Sequence, residues 1–178
     1  MSALKQGWRL LAAATLLSIP LAAHASDTRE TRAFKVQLPA GWEKQIKEEP
    51  SKDGKMGTWT FVSPSRNVRV FIRIGANRPG PIAAQWDAFV GERLGQTLLK
   101  LHPEGFWQKK ADDGEVAYGT VYGLGRRNKT GHVYKYGIVV MRNPKHKRVV
   151  YIAVGGTKDG WGAASARLDS IMNSLELK

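Results

Sequence analysis

The stretch from Gly125 to Val150 carries Arg126, Arg127, Lys129, Lys135, Arg142, Lys145, Lys147 and Arg148, with His132 and His146 among them and no acid. Lysine and arginine stay protonated near neutral pH, so this composition favours holding an anion over moving a proton. Such side chains can neutralise phosphates or carboxylates, steer an acidic partner, or serve only to keep turns and sheet edges solvated.

Groups that could run a reaction are sparser. His102, His132 and His146 are scattered, with no His-Glu-x-x-His pair and no carboxylate at ligand spacing, so the signature of a zinc hydrolase is absent. The chain has no cysteine, which excludes thiolate zinc sites and thiol catalysis. No Gly-x-Ser-x-Gly elbow occurs. The stretch Ala111 to Glu115 (ADDGE) has too few oxygen ligands for a calcium loop and reads as a turn. Gly155 to Trp161 (GGTKDGW) joins a strand to a helix, where backbone N–H groups can hold an anion, but it lacks phosphate-loop spacing and reads as a turn capped by Asp159. No catalytic residue, metal site or cofactor is expected. A hydrolase would require His132 to meet a carboxylate or serine within hydrogen-bond reach.

The N-terminus addresses location. Lys5 and Arg9 precede an apolar run, Leu10 to Leu21, and Ala23-His24-Ala25 is a small-residue cleavage site, the layout of a secretory leader cut after Ala25. The run, broken by Pro20, falls short of the roughly 20 residues of a membrane-spanning helix. Export to the periplasm and a single mature domain over residues 26–178 are therefore expected. Loss of Lys5 and Arg9 lowers the formal charge of +13 by two. The excess concentrates in two acid-free segments, Asp53 to Asp87 with Lys55, Arg66, Arg69, Arg73 and Arg78, and Glu115 to Asp159.

The elements that must position these charges follow from periodicity. After a polar lead-in, Phe34, Val36 and Leu38 alternate with Lys35 and Gln37 as a strand that stops at Pro39-Ala40-Gly41. Thr58 to Val62 and Asn67 to Ile74 read as strands, the latter with Val68, Val70, Ile72 and Ile74 on a core face and Arg69, Phe71 and Arg73 on a basic one. Ile82, Trp86, Phe89, Val90, Leu94, Leu98 and Leu101 recur at helical spacing, predicting a helix to about Leu101, with Phe106 and Trp107 tucking its exit loop onto the core. Three strands follow, Glu115 to Tyr122, His132 to Met141 and Arg148 to Val154, then a helix through Trp161, Leu168 and Ile171. Trp42, Trp59, Trp86 and Trp161 read as core. Strand runs separated by single helices give an α+β fold, an antiparallel sheet of about six strands flanked by helices.

With FKVQLPAGW (Phe34 to Trp42), TWTFVSPSRNVRVFIRI (Thr58 to Ile74), the Trp86 helix, three strands and a terminal LDSIMNSLEL (Leu168 to Leu177), the chain resembles the PsbP-like superfamily. That group takes in the PsbP extrinsic proteins of photosystem II, the Ran-binding Mog-type import factor and exported bacterial DcrB-like proteins. The resemblance implies an α/β/α sandwich used as a protein-binding or accessory module, with no shared catalytic motif to transfer. The strong positive charge departs from the family.

The expected function is an exported accessory domain without catalysis, engaging a protein or anionic envelope component through Arg69, Arg73, Arg126, Arg127, Lys129, His132, Lys135, Arg142, Lys145, Lys147 and Arg148. It is favoured if Arg69, Arg73, Arg126, Arg127 and Lys135 share one face with exposed aromatics. The alternative is a small-ligand or lipid carrier, which predicts a deep apolar pocket. Nucleic acid is disfavoured because no nucleic-acid fold signature accompanies the charge.

Overall fold

The computed structural model describes residues 26–45, 50–95, 98–111, 114–125, 132–143, 147–157 and 160–178. The expected leader, Arg126, Arg127, Lys129, Lys145, His146 and Asp159 lie outside them. Among the described residues the elements are β1 (Ser26–Glu30), β2 (Phe34–Pro39), β3 (Glu43–Gln45), β4 (Gly57–Val62), β5 (Val68–Ala76), α1 (Ile82–Phe89) with a π turn (Val90–Leu94), β6 (Leu98–Ala111), β7 (Gly114–Gly125), β8 (Val133–Arg142), β9 (Arg148–Thr157), α2 (Trp161–Ser174) and β10 (Glu176–Leu177). They form a seven-stranded sheet in the order β3-β4-β5-β9-β8-β7-β6 and a three-stranded sheet β1-β2-β10. Every pairing is antiparallel.

Three layers result. One face of the large sheet, with Val70, Ile72, Val139, Val150 and Ile152, packs against Phe34, Val36 and Leu38 of the small sheet and Leu168 and Ile171 of α2. The other face, with Ala117, Val121, Tyr136, Ile138, Val140 and Ala153, packs under Ile82, Trp86 and Phe89 of α1. The central strands β8 and β9 are covered on both faces and hence read as near-continuous apolar runs, whereas β2, covered on one, alternates strictly. The α+β class with a helix-flanked antiparallel sheet stands. Trp42, Trp59 and Trp86 are buried, as expected.

The helix expected to reach Leu101 stops at Phe89. Gly95 N–H donates to the carbonyl of Val90, five residues back, at 3.1 Å, closing a π turn. A Cβ on Gly95 would lie 2.3 Å from the Gly91 carbonyl oxygen, so the tight exit needs glycine. Leu98 and Leu101 then belong to β6, an edge strand, and Phe106 and Trp107 lie on it, exposed, rather than in a tucked loop.

Two one-residue bulges explain how β6 mimics helical spacing. Register slips occur between Leu99 and His102 and between Glu104 and Trp107, and Lys100 and Gly105 have φ of +50° and +63°. The extra residues fall opposite Gly123 and Gly119, and there Leu101 and Phe106 turn to the α1 side. A Cβ on Gly119 would sit 2.7 Å from the Trp86 ring, so this glycine gives α1 its seat.

Burial pushes the Tyr136 phenol up to about 12. Its unfolded-state value is near 10, so between about pH 10 and 12 the unfolded chain loses a proton that the native chain keeps, and stability falls as pH rises. The full loss is roughly 2–3 kcal/mol at two units of displacement. Urea midpoints measured from pH 9 upward should therefore drop less steeply for Tyr136→Phe than for the wild type. Parallel curves would mean that Tyr136 ionises freely in the native state.

Candidate functional site

The register separates the basic residues expected to act together. Arg69 lies in the cross-strand row Arg69, Gly155, Tyr136, and Arg73 in the row Arg73, Tyr151, Val140, both on the α1 side. Lys135 lies in the row Val68, Gly156, Lys135, on the opposite side. Among the described residues, then, Arg69 and Arg73 do not share a face with Lys135. The aromatic between them, Phe71, packs into the α1-side core, 6.2 Å from the Tyr136 ring, and the arginine stems lie on partly covered surface. Arg142 is nearly buried in an ion pair with Glu115 at 2.6 Å, and Arg148 donates to the Lys178 carbonyl. Exposed His132 precedes β8 and exposed Lys147 precedes β9, which puts them at opposite ends of the β8–β9 pair. Among the described residues no carboxylate or serine hydrogen-bonds the His132 ring.

A different surface emerges where α2 stops. A Cβ on Gly137 would meet Leu168 at 2.9 Å and Trp161 at 3.2 Å, so the helix seats tightly on β8. Beyond it β7 and β6 carry the sheet outward. Across these strands Leu99 faces Leu124 and Leu124 faces Val133, while His102 faces Tyr122 and Tyr122 faces Lys135. Leu99, Tyr122, Val133 and Trp107 are 41%, 38%, 40% and 48% exposed, values that are high for large apolar side chains aligned on one sheet face.

This face is ordered by its own contacts. His102 stacks on Tyr122 at 4.9 Å, and Trp107 leans on Tyr118 at 5.6 Å. Lys135 donates to Glu104 at 2.9 Å and lies 5.3 Å over the Trp161 ring. The hydrogen bond and charge of Lys135 hold the Glu104 carboxyl below the ordinary carboxylate value. Burial and Asp169 raise the Tyr118 phenol, which stays a neutral donor at physiological pH. Exposed Lys100 and Lys109 continue along β6. The arrangement suits contact with an apolar patch rimmed by acid; it has no nucleophile–base pair. Of the binding set expected from sequence, only Lys135 is placed on this face among the described residues, because the leucine spacing conceals β6.

On the other side of the sheet, Arg73, Gly75, Arg78, Gln85, Phe89, Glu92 and Tyr151 line a cleft of about 230 Å³ between α1 and β5–β9. Arg78 and Arg142, with Asn77, Pro79 and Gly80, border a neighbouring hollow of about 330 Å³. Neither is the deep apolar pocket of a lipid carrier.

No family model matches the chain, and no curated protein matches it in sequence. Solved structures do match in fold. The Ran-binding protein Mog1p of Saccharomyces cerevisiae superposes with a TM-score of 0.60 at 11% identity, covering 87% of this chain and 96% of that one. Cyanobacterial PsbP (CyanoP) from Synechocystis sp. PCC 6803 gives 0.56 at 10% identity, covering 90% and 97%. A point mutant of Mog1 gives 0.55 at 12% identity, covering 86% and 96%. The chain thus has the fold of PsbP and Mog1, as the sequence patterns implied.

Proposed function

We propose that this chain is an exported, non-catalytic binding domain that docks an acidic protein partner of the cell envelope on the open β6–β7–β8 face. The observation that carries the reading is that Leu99, Tyr122, Val133 and Trp107 are all exposed on one face of the sheet. Exposed aromatics on a rigid sheet, with cations around them, have the composition of a protein–protein contact centre. The fold shared with a protein described as Ran-binding supports a protein partner. The leader-like residues 1–25 support export, and among the described residues no helix is long and apolar enough to cross a membrane. Arg126, Arg127 and Lys129 lie in the link between β7 and β8 and would add attraction for acid. The wider basic set, His132, Lys145, Lys147 and Arg148 included, would act through the long-range field.

The test is capture of a partner from envelope extract at about 0.15 M salt and again at several-fold higher salt. The expected result is one protein held by the wild type and weakened about tenfold or more by Trp107→Ser with Tyr122→Ser, both exposed positions where folding is preserved. Arg126→Glu, Arg127→Glu and Lys129→Glu together should weaken it further at low salt than at high salt. Recovery indifferent to both sets of changes, or abolished by nuclease, would overturn the reading.

A further inference from the structure

The cleft between α1 and β5–β9 has a built polar end that the open face does not use. Tyr151 is fixed by stacking on Phe89, ring centroids 5.0 Å apart and planes within 19°, while the Arg73 guanidinium carbon lies 5.8 Å from its centroid. Buried Gln85 is held by its amide N–H, which donates to the Arg78 carbonyl at 2.9 Å. Its Oε1 is thereby turned to the Tyr151 hydroxyl, which donates to it over a long 3.4 Å. Of the other walls, Ala76, Pro79, Ala84, Ala88 and Phe89 are apolar, and Glu92 adds a carboxylate that pairs with Arg73.

Charge around this end does not balance. Arg73 pairs with Glu92 at 3.1 Å and Arg142 with Glu115 at 2.6 Å. Arg78 is exposed to the cleft and has no carboxylate partner among the described residues. Arg78 is therefore the surplus cation, next to a weakly engaged phenol donor and an apolar wall. One further negative charge would complete the set. Arg142 Nη1, donating to the Arg78 carbonyl at 3.3 Å, helps fix the backbone from which Arg78 projects.

We propose that this cleft binds a small organic monoanion, its charged oxygens held by Arg78, Arg73 and the Tyr151 hydroxyl and its apolar body lying against Ala84, Ala88 and Phe89. The volume of about 230 Å³ falls below the roughly 300–1,000 Å³ of drug-sized sites, so the ligand has few heavy atoms or enters only by its head. A planar carboxylate and a phosphodiester both offer two oxygens and one charge to a guanidinium. The first would come from a free acid, the second from a lipid headgroup.

Amide shifts of the isotope-labelled full-length protein are followed as benzoate, neutral benzamide or dimethyl phosphate is added. Saturable shifts are expected at Gly75, Ala76, Gln85, Ala88 and Tyr151 with one of the two anions and not with benzamide, at an affinity of about millimolar or tighter. Benzoate as the preferred probe assigns a carboxylate ligand, and dimethyl phosphate a phosphodiester. Arg78→Gln should weaken binding about tenfold or more, and Tyr151→Phe severalfold, whereas Arg66→Gln, on the far β4–β5 turn, should leave it unchanged. Shifts that do not saturate, that benzamide reproduces, or that survive Arg78→Gln would overturn the site. Capture on the open face uses none of these residues, so the two proposals fail separately.

Discussion

Arg142→Met lowers stability by about 3 kcal/mol, the expected result of breaking a covered ion pair by removing one partner. Glu115 and Arg142 stand directly opposite each other on β7 and β8, with side chains 12% and 11% exposed. Arg142 Nε and Nη2 both reach Glu115 Oε2 at 2.6 Å. With Arg142 gone, the nearly buried carboxylate keeps, among the described residues, only Lys110, 3.8 Å from its other oxygen and 80% exposed. A solvated lysine at that distance contributes a fraction of a kcal/mol, too little to offset the desolvation of Glu115. Glu115→Met in the Arg142→Met background removes the stranded charge and should recover most of the loss. Urea unfolding of the four proteins gives the coupling energy directly. A loss under about 1 kcal/mol for Arg142→Met would mean that water reaches the pair and the sheet end is open.

That expectation also bears on how the charge of this chain divides. Sequence reading grouped Arg142 with the anion-seeking residues because its hairpin contains no acid. The acid that takes it, Glu115, sits on the neighbouring strand, and pairing across strands is invisible in a local count. The same limit applies to Arg73, taken by Glu92 from the π turn, and to Lys135, taken by Glu104 across β7. Strands β2, β4, β5, β8 and β9 were legible because their alternation or double burial leaves a period of two or a continuous apolar run. β6 was not. Its two bulges break the period, and its Leu98 and Leu101 extend the spacing of Leu94 as if one helix continued. Since the open face is built on β6, its aromatic surface could not be assembled from sequence, even though Tyr122 and Lys135 both fall in strands that the sequence predicts.

The glycine pair of β9 shows the converse, a motif that sequence can flag and only the register can explain. Gly155-Gly156 before a helix suggests a loop where anions meet free N–H groups, yet both glycines are buried within the strand. A Cβ on Gly155 would lie 2.2 Å from the Lys135 carbonyl oxygen and 2.5 Å from the Tyr136 ring, which lies across it. On Gly156 it would lie 1.8 Å from the Asn67 carbonyl oxygen, the acceptor for Thr157 N–H at 3.3 Å. Both obstacles include backbone, which cannot swing aside as a side-chain tip could. Gly156→Ala is thus expected to cost about 3 kcal/mol or more, the upper range for overpacking, because it must push β5 from β9. Gly162→Ala, in α2 with open space around the added methyl, should instead gain a few tenths to about 1 kcal/mol from helix propensity. Denaturation midpoints moving in opposite directions would establish close strand approach as the reason for the glycines. If Gly156→Ala were tolerated, β5 and β9 would have to separate freely at this end. The row Val68, Gly156, Lys135 that sets Lys135 beside Trp161 on the open face would then have no fixed register to present to a partner.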